Sequence, residues 1–178
     1  MDKIVELIQQ DTVRLQAIYS VAQLGLPQCY LAAGFVRNLV WDYLHNKSVP
    51  TPLNDVDVIY FDPEETDIDA YRQYESRLIK EMSELNWQVR NQAKMHLRNG
   101  DKPYTSTIDA MSYWPEKETA VGIRKQPHGE FECVSPFGFD SLFHCHVTCN
   151  PKCRREIFEK RAYEKGWLEH WPSLKIMS

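Results

Sequence analysis

Two aspartates interrupt an apolar run, Asn54-Asp55-Val56-Asp57-Val58-Ile59-Tyr60-Phe61, and no other stretch restricts the fold so tightly. In an extended strand successive side chains point to opposite faces, so Asp55 and Asp57 share one face while Val56 and Val58 pack on the other. Two neighbouring carboxylates repel and raise each other's pKa unless a cation lies between them, and oxygen ligands of this kind suit Mg²⁺ (or Mn²⁺). The strand is therefore expected to bury one face and to hold a divalent metal on the other. Asp67-Ile68-Asp69 repeats the spacing in what reads as the first turn of a helix, where acids answer the helix dipole.

Upstream, the apolar segment Cys29-Tyr30-Leu31-Ala32-Ala33 ends at Gly34, and Phe35 to Leu44 takes up helical spacing. This is strand, glycine turn, helix. Such a glycine lets backbone N–H groups approach a phosphate, and the helix N-terminus adds partial positive charge. Arg37, one turn on, is placed to clamp a triphosphate. A loop carrying Pro50 and Pro52 leads back to the Asp55 strand.

In these residues the chain resembles the nucleotidyltransferase superfamily with the polymerase β type of catalytic core. Its signature is a Gly-Gly or Gly-Ser turn opening a helix, followed by a strand bearing Asp-x-Asp. Gly34-Phe35-Val36-Arg37-Asn38 is similar to the Gly-x-Val-Arg-Asp stretch of the tRNA nucleotidyltransferase and poly(A) polymerase head, with Ala33 in place of the first glycine and Asn38 in place of aspartate. A closer resemblance is to a small bacterial nucleotidyltransferase-like family. It extends over Ala33 to Asn38, Asn54 to Asp57, Val89 to His96, Thr105 to Ala110, Thr119 to Arg124 and Pro136 to Asp140. The resemblance implies an α/β (α+β) fold, a mixed sheet with helices on one face and a C-terminal helix, and the length of 178 residues is that of a single domain over 1–178. It also implies Mg²⁺-dependent transfer of a nucleoside monophosphate from a nucleoside triphosphate, with release of pyrophosphate. The acceptor is left open among a small molecule, a protein and an RNA end. The chain lacks the helical neck and body with which tRNA nucleotidyltransferases hold RNA, which favours a small or protein acceptor.

Hydrophobic periodicity gives an α/β alternation. An N-terminal helix or helix pair ends near Gly25 and Pro27, and a second helix spans Asp67 to Leu85. Trp87 to His96 alternates as a third strand, and Thr105 to Tyr113 is a short helix. Thr119–Arg124 and Glu130–Val134 form a hairpin, Leu142–Val147 adds a strand, and Pro151 to Trp167 closes the chain as an amphipathic helix. The polar face of the third strand, Gln88, Arg90, Gln92, Lys94 and His96, is expected to join Asp55 and Asp57, with Lys94 and His96 as nucleotide contacts. That face carries no carboxylate, although enzymes of the resembled type place a third one there. Asp109 is the favoured replacement, as third catalytic carboxylate, ahead of Glu130 and Glu132. A site of only two carboxylates would make the protein an idle nucleotide-binding or regulatory relative.

Composition excludes other classes. The formal charge of −4, from 21 basic and 25 acidic residues, does not describe a chain that coats nucleic acid. Five cysteines, an odd number, argue against a secreted disulfide framework. Asp2 and Glu6 stand where a secretory leader would be basic, and no apolar run reaches membrane-spanning length, so no membrane partner and a cytoplasmic location are expected. His144, Cys145, His146, Cys149 and Cys153 match no standard zinc spacing; they are read as core residues without zinc. Lys152, Arg154, Arg155, Lys160 and Arg161 read as the wet face of the last helix.

Overall fold

The computed structural model describes residues 2–177. Five strands, β1 (Tyr30–Ala32), β2 (Val56–Tyr60), β3 (Trp87–Asn91), β4 (Gly122–Lys125) and β5 (Phe131–Val134), form a mixed sheet in the order β3-β2-β1-β4-β5. β2 and β3 run parallel, and the crossover this demands is supplied by α4 (Ala70–Glu81); the other pairings are antiparallel. The β4–β5 hairpin closes with a bond from the Gln126 amide to the Glu130 carbonyl.

Alternation along β2 divides the molecule. Val56, Val58 and Tyr60 enter the main core, against Ile4 and Ile8 of α1 (Asp2–Gln10), Ile18 of α2 (Thr12–Ala22), Phe35 and Val40 of α3 (Gly34–Leu44), and Leu78 of α4. Ile59 points the other way, into a smaller cluster with Tyr30, Ala32 and Met111. The helices of the main core thus lie on one face; on the other, the helical residue Met111 covers Ile59, and Asp55, Asp57 and their neighbours on β3 are left uncovered. α1 packs through Ile4, Leu7 and Ile8, the i, i+3, i+4 stripe of an amphipathic helix. Asp11 separates it from α2 by capping the Arg14 amide at 2.9 Å.

The third strand stops five residues sooner than its alternation predicts. Asn91 turns the chain by accepting a hydrogen bond from the Ala93 amide at 3.0 Å. α5 (Gln92–Asn99) follows and is closed by Gly100 at φ 73°, the left-handed conformation that suits glycine at a helix end. Lys94 and His96 are therefore helical residues. α6 (Thr107–Met111) lies within the expected short helix. Leu142 belongs to a helical turn, α7 (Asp140–Phe143), and the strand at this point is only β6 (His146–Thr148), paired in parallel with β7 (Lys175–Met177). The last long helix is α8 (Arg155–Glu164); Gly166, at φ 59°, breaks it from α9 (Trp167–His170). Phe158, Trp167 and Trp171 carry this C-terminal segment into the main core.

Candidate active site

Asp55 and Asp57 stand side by side on the open face of the sheet, Asp55 exposed and Asp57 partly buried. β2–β3 register sets Asp57 beside Gln88 and Ile59 beside Arg90. Asp55 accepts a hydrogen bond from Asn86 Nδ2 at 2.7 Å. Burial, followed by the charge of Asp55, pushes the Asp57 carboxyl above its ordinary pKa, against the opposing pull of Arg37, Lys165 and Arg90. A carboxylate pair that destabilises its own ionised form is a suitable ligand for a divalent cation, and an all-oxygen donor set fits Mg²⁺ or Mn²⁺.

Two recesses meet at this pair. The first opens onto the turn between β1 and α3 and is lined by Ala33, Gly34, Arg37 and Asn38. The positive φ of this turn falls on Ala33, at φ 55° and ψ −124°, and not on Gly34. Ala33 has no side-chain acceptor with which to cap α3; its carbonyl takes the Val36 and Arg37 amides, so the Gly34 and Phe35 amides are the ones left to serve a ligand or water. A Cβ added at Gly34 would meet Arg37 Nη2 and Asn38 Nδ2 at 3.5 Å, so glycine leaves the wall beside them clear.

Arg37 is buried and held from several sides. Its Nη1 donates to Thr119 Oγ1 at 2.7 Å and its Nη2 to Asn38 Oδ1 at 3.0 Å, while the guanidinium lies over the rings of Trp41 and Trp167 at 5.1 and 4.6 Å. Burial lowers its pKa to about 10, opposed by the charges of Glu116 and Asp57. This is a fixed cation at the rim of the β1–α3 turn, oriented by indole faces.

The C-terminal segment closes the other side of the same recess with Arg161, Lys165, Trp167 and Trp171. Arg161, expected on a wet helix face, instead turns inward. Its Nε donates to Glu116 Oε1 at 2.7 Å, and Glu116 is wholly buried. Asp42 links three elements: it accepts from the Thr51 amide and hydroxyl, both at 2.7 Å, and from Trp171 Nε1 at 2.8 Å. It thereby fixes the loop that delivers Asp55 and the segment that covers it. None of Thr119, Glu116, Arg161 or Asp42 carries a local sequence signal of this role, since each meets the site through tertiary contact.

The structure brings Gly34, Arg37, Asp55 and Asp57 together. It does not bring Lys94, His96 or Asp109 to them. Lys94 Nζ donates to the Pro63 carbonyl at 2.9 Å, and His96 packs edge-on to Tyr104; the turn into α5 has rotated both off the strand face. Asp109 forms a capping box, its Oδ2 accepting from the Thr105 amide at 2.8 Å while its own amide donates to Ser106 Oγ. Glu130 pairs with His128 at the hairpin end, and Glu132 with Arg124 and Tyr30. Among the described residues no group of three or more His, Cys, Asp or Glu side chains is arranged to hold a metal, and no helix is long and apolar enough to cross a membrane.

With this geometry in place, comparison with known families is decisive: a family model described as Nucleotidyltransferase matches residues 19–176. The chain belongs to the nucleotidyltransferase family. An NMR structure described as revealing a CCA-adding enzyme head domain is 32% identical, covers 100% of this chain and 96% of its own, and superposes with a TM-score of 0.87. A CCA-adding enzyme in complex with CTP is 13% identical over 94% of this nucleotidyltransferase and 47% of its own chain, with a TM-score of 0.55. A tRNA-processing enzyme in an apo form is 14% identical over 92% of this chain and 42% of its own, at 0.56. The chain spans less than half of those two enzymes, which share the fold. Comparison with curated proteins returns no match.

Proposed function

We propose that this protein transfers a nucleoside monophosphate from a nucleoside triphosphate to an acceptor and releases pyrophosphate, using Mg²⁺ (or Mn²⁺) held by Asp55 and Asp57. One observation carries the reading: the two carboxylates border a recess whose far wall is an uncapped helix start with a buried arginine beside it. Membership of the family and the CTP complex of a protein of the same fold support a nucleoside triphosphate as donor. When bound, the cation would offset the charge of the phosphates and polarise the phosphorus under attack. Arg37, Lys165 and the first amides of α3 hold and orient the phosphate chain, and Trp167 and Trp171 exclude water from it.

Calorimetry with each of the common triphosphates, with and without Mg²⁺, tests this on the wild type and on Asp57→Asn. The wild type is expected to bind only with the divalent ion, and the variant to lose that dependence. Equal, metal-independent affinity in both proteins refutes the site. A transfer screen scored by mass change on small-molecule, RNA and protein acceptors then tests the chemistry. A second reading, an idle nucleotide binder, is favoured by one feature: β3 presents Gln88 and Arg90 beside the pair, where the resembled enzymes carry a carboxylate. It predicts metal-dependent binding without transfer to any acceptor.

A further inference from the structure

The second recess at Asp55 and Asp57, about 640 Å³, opens over β3 and the end of α5. Its wall includes Arg90 from β3, Arg98 from α5, Arg161 from α8 and the ring of Trp114. Three guanidinium groups here face two carboxylates, and their commitments differ. Arg90 is braced by Glu75 at 2.8 Å and by Gln88 Oε1 at 2.6 Å. Arg161 is braced by Glu116. Neither Glu75 nor Glu116 lines the recess, so each steadies its arginine from behind without filling the space in front. Arg98 is exposed on the last turn of α5 and makes no ion pair among the described residues.

Once a divalent cation offsets Asp55 and Asp57, and with Arg90 and Arg161 answered by Glu75 and Glu116, the charge left without a protein partner on this wall is that of Arg98. A neutral alcohol or an uncharged protein side chain leaves that charge unanswered, whereas a phosphate matches it with charge-assisted hydrogen bonds. The volume is that of a small-molecule site, and Trp114 offers an apolar surface to the remainder. The recess shares Asp55, Asp57 and Arg161 with the Gly34 side, as two reactants meeting at one phosphorus require.

We propose that this second recess is the acceptor site, and that its occupant is a small phosphorylated alcohol, such as a sugar phosphate. Its phosphate is held by Arg98 together with Arg90 and Arg161, and its hydroxyl is turned toward Asp57. The assignment rests on the nucleotidyl-transfer reading above. In the step it serves, the acceptor hydroxyl oxygen bonds to the α-phosphorus of the triphosphate and the bond from that phosphorus to the α,β-bridging oxygen breaks. Pyrophosphate leaves, and the hydroxyl proton passes to water.

The test is a calorimetric titration in Mg²⁺ of ribose 5-phosphate and glucose 6-phosphate, their phosphate-free sugars, a short single-stranded RNA and ATP. The proteins are the wild type, Arg98→Gln and Arg98→Glu. The sugar phosphates are expected to bind and the free sugars not to. Each Arg98 variant is expected to weaken the sugar phosphates by about tenfold or more, the loss of one hydrogen bond to a charged group, while ATP binding is retained. Sugar phosphates that bind no better than free sugars, that are indifferent to Arg98, or that are displaced by ATP overturn the acceptor site even where metal-dependent ATP binding is intact. RNA bound more tightly than the sugar phosphates, with the same Arg98 dependence, overturns the small acceptor in favour of an RNA end. Absence of metal-dependent ATP binding in the wild type removes the nucleotidyl-transfer reading itself, and the acceptor role with it.

Discussion

Replacing Ala33 by glycine is expected to leave the fold as stable as the wild type or slightly more so, the reverse of the usual result for a buried alanine. At an unstrained position Ala→Gly loses ~0.7 kcal/mol to unfolded-chain entropy and ~0.8 kcal/mol for the buried methyl, a destabilisation of roughly 1.5 kcal/mol. Ala33 stands at φ 55° and ψ −124°, a region disfavoured for any residue with a Cβ, at a cost of about 1–3 kcal/mol. Relief of that strain places Ala33→Gly between about 0.5 kcal/mol less stable and 1.5 kcal/mol more stable than wild type. Urea denaturation followed by far-ultraviolet circular dichroism resolves this range from the unstrained result. A loss of roughly 1.5 kcal/mol, the unstrained value, would refute the reasoning and leave the turn without strain. The resembled enzymes carry glycine at this position, so Ala33→Gly should also leave triphosphate binding intact.

Three other outcomes follow from the structure. Glu116→Gln should destabilise the fold by about 2–3 kcal/mol, less than the ~3–5 kcal/mol of a fully buried broken pair because the Arg161 side chain is 36% exposed; a double-mutant cycle with Arg161→Met measures the coupling, and additive effects contradict it. Asp109→Asn keeps an oxygen to accept from Thr105, so it should leave both stability and nucleotide transfer near wild type, and a large loss of transfer would return Asp109 to the chemistry. Burial pushes the thiols of Cys29 and Cys133 up to about 12, so both should resist a thiol reagent until the protein unfolds while the less buried Cys145, Cys149 and Cys153 react first. Because their folded-state values are raised, the stability they contribute falls as pH climbs from about 9 toward 12, which an alkaline denaturation series on Cys29→Ala would reveal as a flatter profile.

What the sequence disclosed is what short-range pattern encodes. Period-two alternation placed Asp55 and Asp57 on one face, and a glycine between strand and helix marked the turn from β1 into α3. The third strand misled because Ala93 and Met95 continue its alternation into α5. The contrary signals, Asn91 as a cap, Gly100 as a stop and basic residues in the last turn, were present and weigh more than two apolar positions. Asp109 misled for a related reason, since an acid three residues after Ser106 is the sign of a capping box. The C-terminal wall was beyond reach. Arg161 turns inward only because Glu116, forty-five positions earlier, is buried beneath it, and charge on a helix face gives no hint of such a partner.

The guanidinium of Arg37 lies between Trp41 and Trp167, and Trp171 meets Trp41 with ring centroids 5.1 Å apart. Three of the five tryptophans in the chain are thus gathered beside the turn from β1 into α3. Indole emission responds to charge and water in its surroundings, so this cluster makes the protein its own spectroscopic probe. An anion drawn to Arg37 alters the electric field on two indoles at once, and the turn can be watched by its native fluorescence, with no label attached.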